Sequence, residues 1–404
     1  MPALILVLGI GSCTPHEEAA ELPAPVVREP ELQIGLLVDV PRVTIGGNEA
    51  LRVTSAGGGA ATIARASSVD VTVRDDLVSV PASTSIVGSD VTVAPIDANG
   101  TVRVNGRDYP GTVAIRKSDK GVVVVNRVSL ERYVAAVVGA EMGARQPGDI
   151  EALKAQAVAS RTYAVRNQGR WKARGFDLVA AVDNQLYNGI ASEYPLATQA
   201  TVATRGEILT YQGQPIDAFF FSTCGGRTED GEAVYPNARR PYLRSIDDRD
   251  PSGTPWCAIS PRYTWHSSWT AAELRAVLSR TLPANALPVE VADDLTDIGV
   301  QDHAPSGRVA SVALTSSQAV TVVAGQNVRR VLASPAGALL PSTDFTIRVA
   351  RDGERIERVD IDGHGNGHGV GMCQWGAVGR ARAGQGYVAI VTSYFPGTEL
   401  RRLY

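Results

Sequence analysis

The chain has 404 residues, 44% hydrophobic and 20% charged, a globular composition with ample apolar area for a core, which excludes wholesale disorder and collagen-like or low-complexity architectures. Its length suggests two or three domains, and 40 Gly with 23 Pro against 6% aromatic residues favours short elements joined by turns over a helical bundle. A formal net charge of −3 supplies no field to draw in a polyanion, so nucleic acid is not an expected partner.

Residues 3–10 form an apolar run too short to span a bilayer as a stable helix, followed by Gly11-Ser12-Cys13. Residues 1–12 read as an export signal, although the usual basic start is missing. Ile10-Gly11-Ser12-Cys13 resembles the bacterial lipobox, which implies acylation of Cys13 as the first mature residue. Residues 13–31, rich in Pro, Glu and Ala, fit a solvated tether behind such an anchor. The expectation is an exported lipoprotein that meets the membrane through its lipid alone. Thr14 after the cysteine points to the outer membrane where the host has one.

From 32 to 120 apolar and polar residues alternate, as in Leu36-Leu37-Val38-Asp39-Val40, Val71-Thr72-Val73 and Val102-Arg103-Val104, with Gly57-Gly58-Gly59 and Asn105-Gly106 as punctuation. This is the pattern of half-buried antiparallel strands and hairpins. Val122 to Val125 reads as a last, buried strand. A helical period starts near Ser129, which can cap it, with Glu131 in the positive first turn. A second helix is predicted after Pro147-Gly148, with Asp149 as N-cap and an apolar face through Ile150, Leu153, Ala157 and Ala164. Lys154 and Arg161, seven residues apart, should project together from another side. Residues 176–223 read as strands and loops and 271–279 as a short helix. Alternation resumes over 308–349, before a glycine-rich loop and a helix near 377–389. The order predicts an α+β fold, with a strand-rich N-terminal module at 32–120 and a larger mixed domain at 121–404.

Three motifs exceed what composition would produce. They are Val137-Val138-Gly139-Ala140-Glu141-Met142 with Ala152 to Ala164 shortly after it, Phe220-Phe221-Ser222-Thr223-Cys224-Gly225-Gly226-Arg227-Thr228, and Gly367-His368-Gly369-Val370-Gly371-Met372-Cys373-Gln374-Trp375-Gly376-Ala377. Together they resemble the SpoIID/LytB family, which takes its name from the stage II sporulation protein D and an amidase enhancer. The resemblance implies a mixed domain forming a glycan-binding cleft, with peptidoglycan glycan strands as target. It implies lytic transglycosylase activity on strands stripped of stem peptides, or else a non-catalytic glycan-binding protein that stimulates a cell-wall amidase.

Transglycosylation needs one carboxyl group as acid and then as base, whereas glycoside hydrolases use a pair. Glu141 ends an apolar helical segment, where partial burial would raise its pKa towards that of a general acid. It also matches the family's catalytic glutamate. The family commonly continues Glu-Met-Pro where this chain has Gly143, so a looser site loop is expected. Lys154, Gln156 and Arg161 lie on the second helix, either facing a glycan or forming a solvated face. The resemblance makes Gln156, Arg161, Tyr187, His368 and Gln374 the substrate-binding candidates, with Tyr163 able to stack or pack. The glycine run 363–371 lacks the strand, Lys and Ser/Thr of a phosphate-binding loop, and its glycines instead allow a close approach around His364 and His368.

With Cys13 set aside for lipid, Cys224, Cys257 and Cys373 remain, an odd number for an oxidising compartment. Three readings stay open. One is a Cys224–Cys257 disulfide. Another is a structural zinc held by Cys224, Cys257, Cys373 and His368. The third is three free thiols. The resemblance adds that some members bind zinc near the cleft, but Phe221 and Arg227 replace the histidines often found there. No cofactor is required for the reaction itself.

Overall fold

The computed structural model describes residues 28–181 and 184–404. The export signal, Cys13 and most of the tether lie outside the described residues. Among the described residues no helix is long and apolar enough to cross a membrane.

The alternating N-terminal segments form two sheets. One runs in the order Leu178–Val179, Glu31–Val40, Gly121–Ser129, Thr112–Ser118, Asp90–Pro95, Leu51–Ser55, Ala60–Ile63. The other runs Arg107–Pro110, Thr101–Val104, Arg42–Gly46, Ser68–Arg74, Leu77–Pro81, Ser85–Gly88. Leu51, Val53, Val91, Val93 and Ile115 of the first share one buried cluster with Val43, Ile45, Val71, Val78 and Val80 of the second, which makes a sandwich. The unbroken valine run 122–125 is buried on both faces. Val122 and Val124 enter the sandwich core, while Val123 and Val125 pack with Ala114 and Phe176 behind it.

A boundary at 120/121 would cut a hairpin, since Thr112–Ser118 pairs with Gly121–Ser129 down to Ser118 opposite Gly121. The sheet therefore runs on to Ser129 and passes directly into helix α1, Leu130–Met142. Ser129 holds the N-cap position but makes no side-chain cap bond; Glu29 accepts the Glu131 N–H instead, at 2.9 Å. A short 3-10 turn at Pro147–Asp149 leads into α2, Ile150–Arg166. The segment 176–223, expected as strands and loops, contains a third helix, α3, Pro195–Ala203, whose signal was Pro195 in its first turn. Close packing of α1 needs Gly139, because a Cβ there would lie 1.7 Å from the Ser192 carbonyl oxygen.

The mixed domain is not a single unit. Residues 264–364 carry a core of their own, including Trp269, Leu274, Leu278, Ile298, Leu314, Val331 and Ile361. It is built from the sheet Thr264–Thr270, Arg355–His364, Asp344–Asp352 and the sheet Leu295–His303, Val309–Ser316, Val320–Ala324. The helix expected at 271–279 runs Ala271–Ala284, started by a reciprocal Thr270–Glu273 capping box. The single helix expected near 377–389 is two, Gln374–Arg382 and Tyr387–Tyr394, parted at Gly384, whose φ is +86°.

Candidate active site

Helix α1 is buried along most of its length and delivers Glu141 at its last turn. The helix closes at Gly143, whose N–H bonds the Gly139 carbonyl and whose φ of +68° is one that proline cannot adopt. The Leu186 N–H donates to Glu141 Oε1 at 2.9 Å, and the Gln374 side chain also hydrogen-bonds the carboxyl. Burial pushes the Glu141 pKa up, and these two hydrogen bonds oppose it only in part. Among the described residues no ion pair reaches Glu141.

Both partners are themselves anchored. Gln374, buried, donates from Nε2 to Gln156 Oε1 at 3.5 Å, and Gln156 donates to Ser160 Oγ at 3.0 Å. On the other side Gln185, next to Leu186, accepts from Tyr133 OH at 3.1 Å and donates to the Ser160 carbonyl at 3.4 Å. Two chains of buried amides thus run from α1 and α2 to the one carboxyl. Gln156 is a correction: with no exposed surface it cannot meet a glycan, and it acts by holding Gln374.

Arg161 is a larger correction. Its guanidinium is fully buried and grips Glu131 with Nε–Oε1 2.8 Å and Nη2–Oε2 2.7 Å, while donating to the Glu207 and Thr201 carbonyls. Glu131 lies ten residues from Glu141, about 15 Å along the helix, so Arg161 neither binds sugar there nor orients the acid. Lys154 does share its side of α2, as their spacing implied, but it meets different partners there. Lys154 pairs with Glu151 at 2.6 Å and lies over the Tyr387 ring.

Tyr187 is also core rather than cleft. Its hydroxyl bonds Asn126 Oδ1 at 2.8 Å, and its ring packs 5.0 Å from Tyr133 and 5.6 Å from Tyr109. Tyr163 is buried and accepts from Asn184 at 3.2 Å. His368 has both nitrogens committed within the fold. Nδ1 accepts the Val370 N–H at 3.1 Å, which leaves Nε2–H to donate to the Phe220 carbonyl at 3.0 Å. Packed among Phe219, Phe221 and Tyr235, it is neutral, its pKa pushed down to about 4 by desolvation. His364 is exposed beside the Tyr263 ring.

Cys224, Cys257 and Cys373 are buried free thiols. The Cys224 and Cys257 sulfurs lie 3.4 Å apart, well beyond the roughly 2.05 Å of a disulfide, so the expected bridge is not formed. Their fourth neighbour is Asp248, not His368.

Sequence reasoning missed the Leu186 amide, Gln185 and Asp248. A backbone donor leaves no trace in residue identity, and Asp248 sits in an acidic run that reads as surface. It also missed Arg145, four residues past Glu141, whose guanidinium lies 4.3 Å over the ring of Trp375 and whose buried Nε has no partner.

A family model described as Stage II sporulation protein matches residues 118–211, the stretch holding α1, α2 and α3, and a model of a domain of unknown function matches 256–371, which encloses the second core. The stage II sporulation protein D of Bacillus subtilis is 34% identical over 293 residues, covering 68% of this chain and 75% of its own. An uncharacterized protein of Brachyspira hyodysenteriae is 33% identical over 301 residues, 74% and 73% of the two chains. The amidase enhancer of Bacillus subtilis is 29% identical over 275 residues, 62% of this chain and 38% of its own. On the three motifs, the helices that carry Glu141 and these relatives, the chain belongs to the SpoIID/LytB family.

Proposed function

We propose that this protein acts on the cell wall as a lytic transglycosylase, cutting peptidoglycan glycan strands that lack stem peptides and leaving 1,6-anhydro ends. The observation that carries the reading is Glu141, one carboxyl with a raised pKa, held by Leu186 and Gln374 and free of any ion pair among the described residues. A protonated Glu141 gives its proton to the glycosidic oxygen as the C1–O bond breaks. The resulting carboxylate takes the proton of the muramic 6-hydroxyl, whose oxygen closes on C1. No water is consumed and Glu141 ends protonated, ready for another cycle. A hydrolase would use a second carboxylate beside this one, whereas the anhydro-forming reaction needs Glu141 alone. Trp375, which follows Gln374 in the chain, is half-buried and carries the Arg145 guanidinium 4.3 Å over its ring.

Mass analysis of digests of denuded glycan tests this. Anhydro ends, one water lighter than reducing ends, support it, and reducing ends would overturn it. Binding without cutting would favour a glycan-binding partner of a cell-wall amidase, the reading that the likeness to the amidase enhancer supports.

Gln374→Ala separates positioning from catalysis. Its hydrogen bond lowers the Glu141 pKa, so its loss should move the alkaline limb of the pH–rate profile upward. The kcat should fall on the order of 10- to 100-fold through misplacement of the carboxyl. An unchanged pH profile would remove Gln374 from the site.

Export with lipid attachment at Cys13 completes the proposal. Labelling with a fatty-acid analogue should tag the protein, and Cys13→Ser should abolish the tag. An untagged wild type would refute the anchor.

A further inference from the structure

We propose that Cys224, Asp248, Cys257 and Cys373 bind one zinc ion, and that this ion pins the chain segment that presents Gln374. The four residues come from separate stretches of chain, yet all are at 0% exposure and their ligand atoms lie within 4.8 Å of one another. A tetrahedron with zinc–sulfur bonds of about 2.3 Å has sulfur–sulfur edges of about 3.8 Å. The Cys224–Cys257 separation of 3.4 Å and the Cys224 Sγ to Asp248 Oδ2 separation of 3.2 Å are close to that scale. Three thiolates and a carboxylate form a donor set suited to zinc.

Backbone N–H groups point at two of the sulfurs, an arrangement suited to thiolate ligands. The Cys224 N–H donates to Cys373 Sγ at 3.1 Å, the Gly226 N–H to Cys224 Sγ at 3.3 Å, and the Gly376 N–H to Cys373 Sγ at 3.2 Å. Cys373 also sits at the N-cap of the nine-residue helix Gln374–Arg382, where the helix field favours negative charge. Asp248 is oriented in the manner of a ligand. Arg380 Nε donates to its Oδ1 at 3.0 Å, and Tyr394 OH lies 2.9 Å from Oδ1 and 2.8 Å from Oδ2, the oxygen that is also 3.2 Å from Cys224 Sγ. Arg380 offsets part of the negative charge that four anionic ligands leave around a divalent ion. The wall is tight enough that a Cβ at Gly376 would come 2.2 Å from Asp248 Oδ2.

The ion would join Cys373 to Cys224 and Cys257 immediately before Gln374, reinforcing the parallel pairing of Phe220–Phe221 with Met372–Cys373. The benefit to Gln374 rests on the transglycosylase reading. The zinc site itself does not.

The test is the metal content of the purified, tag-free chain under reducing conditions, before and after incubation with zinc. One zinc per chain is expected. A cobalt-loaded sample should show a thiolate-to-cobalt charge-transfer band, a readout independent of glycan cleavage. Cys373→Ser and Asp248→Asn should each weaken zinc affinity at least tenfold, and His368→Gln should retain one zinc per chain. Wild-type protein that takes up no zinc, or an unreduced digest containing a Cys224–Cys257 crosslinked peptide, would overturn the site. Unchanged affinity in Asp248→Asn would overturn the fourth ligand. Should a variant not fold, the wild-type stoichiometry and cobalt spectrum still decide.

Discussion

Glu141→Gln should slow cleavage of denuded glycan by at least roughly 10²- to 10⁴-fold, the contribution of a general acid and base, while glycan binding persists because the shape is kept. The replacement retains an oxygen to accept the Leu186 N–H, so the loop that carries that amide should stay in place. The same variant should be more stable than wild type near neutral pH, by roughly 0.5–2 kcal/mol, the usual scale when a strained functional group is removed. The sign follows from linkage. Burial raises the folded-state pKa of Glu141 above 4.5, so the wild-type fold loses stability as pH rises through that raised value. Below the ordinary value both side chains are neutral and the difference should vanish. Activity should fall over the same rise in pH, as the acid loses its proton. Denaturant midpoints and rates measured across pH check both, and a variant that cuts as fast as wild type would remove Glu141 from catalysis.

Arg161→Ala should cost about 3–5 kcal/mol of stability, because it strands the mostly buried Glu131 carboxylate without its guanidinium. Arg161→Met with Glu131→Gln should recover much of that loss by removing both charges. Burial works against ionisation of Glu131, but Arg161, Tyr404 and the Gly206 N–H outweigh it and hold its carboxyl below the usual range. The contribution is therefore full above the ordinary pKa and lost as pH falls through the depressed one, so the gap between wild type and Arg161→Ala should narrow in acid. A glycan ligand would behave in the opposite way, leaving the denaturant midpoint unchanged and raising KM.

The family and the helix that ends at Glu141 were legible in the sequence for local reasons. Apolar alternation has a fixed relation to strands, the apolar run before Glu141 has one to a helix, and a motif keeps its spacing whatever surrounds it. The same logic found the cysteines, and it placed Lys154 and Arg161 on one side of α2. It could not say whether that side faces water, since the groups that meet it come from other segments: Glu131, Thr201 and Glu207 for Arg161, and Tyr387, more than 200 residues on, for Lys154.

The sequence by itself determined an α+β chain, with Glu141 at the end of a helix and three thiols to account for. Only the tertiary structure decided what each polar side chain faces. It turned Arg161 inward onto Glu131, committed both nitrogens of His368 to backbone, and set Tyr187 into the core. It also brought Asp248 to the three cysteines and the Leu186 amide to Glu141. The physical reason is the same in each case. A local pattern reports the periodicity of burial along one element, whereas the partner of a buried charge or donor is chosen by which distant segment packs against it, and that choice is made by the satisfaction of buried polar groups across the whole fold.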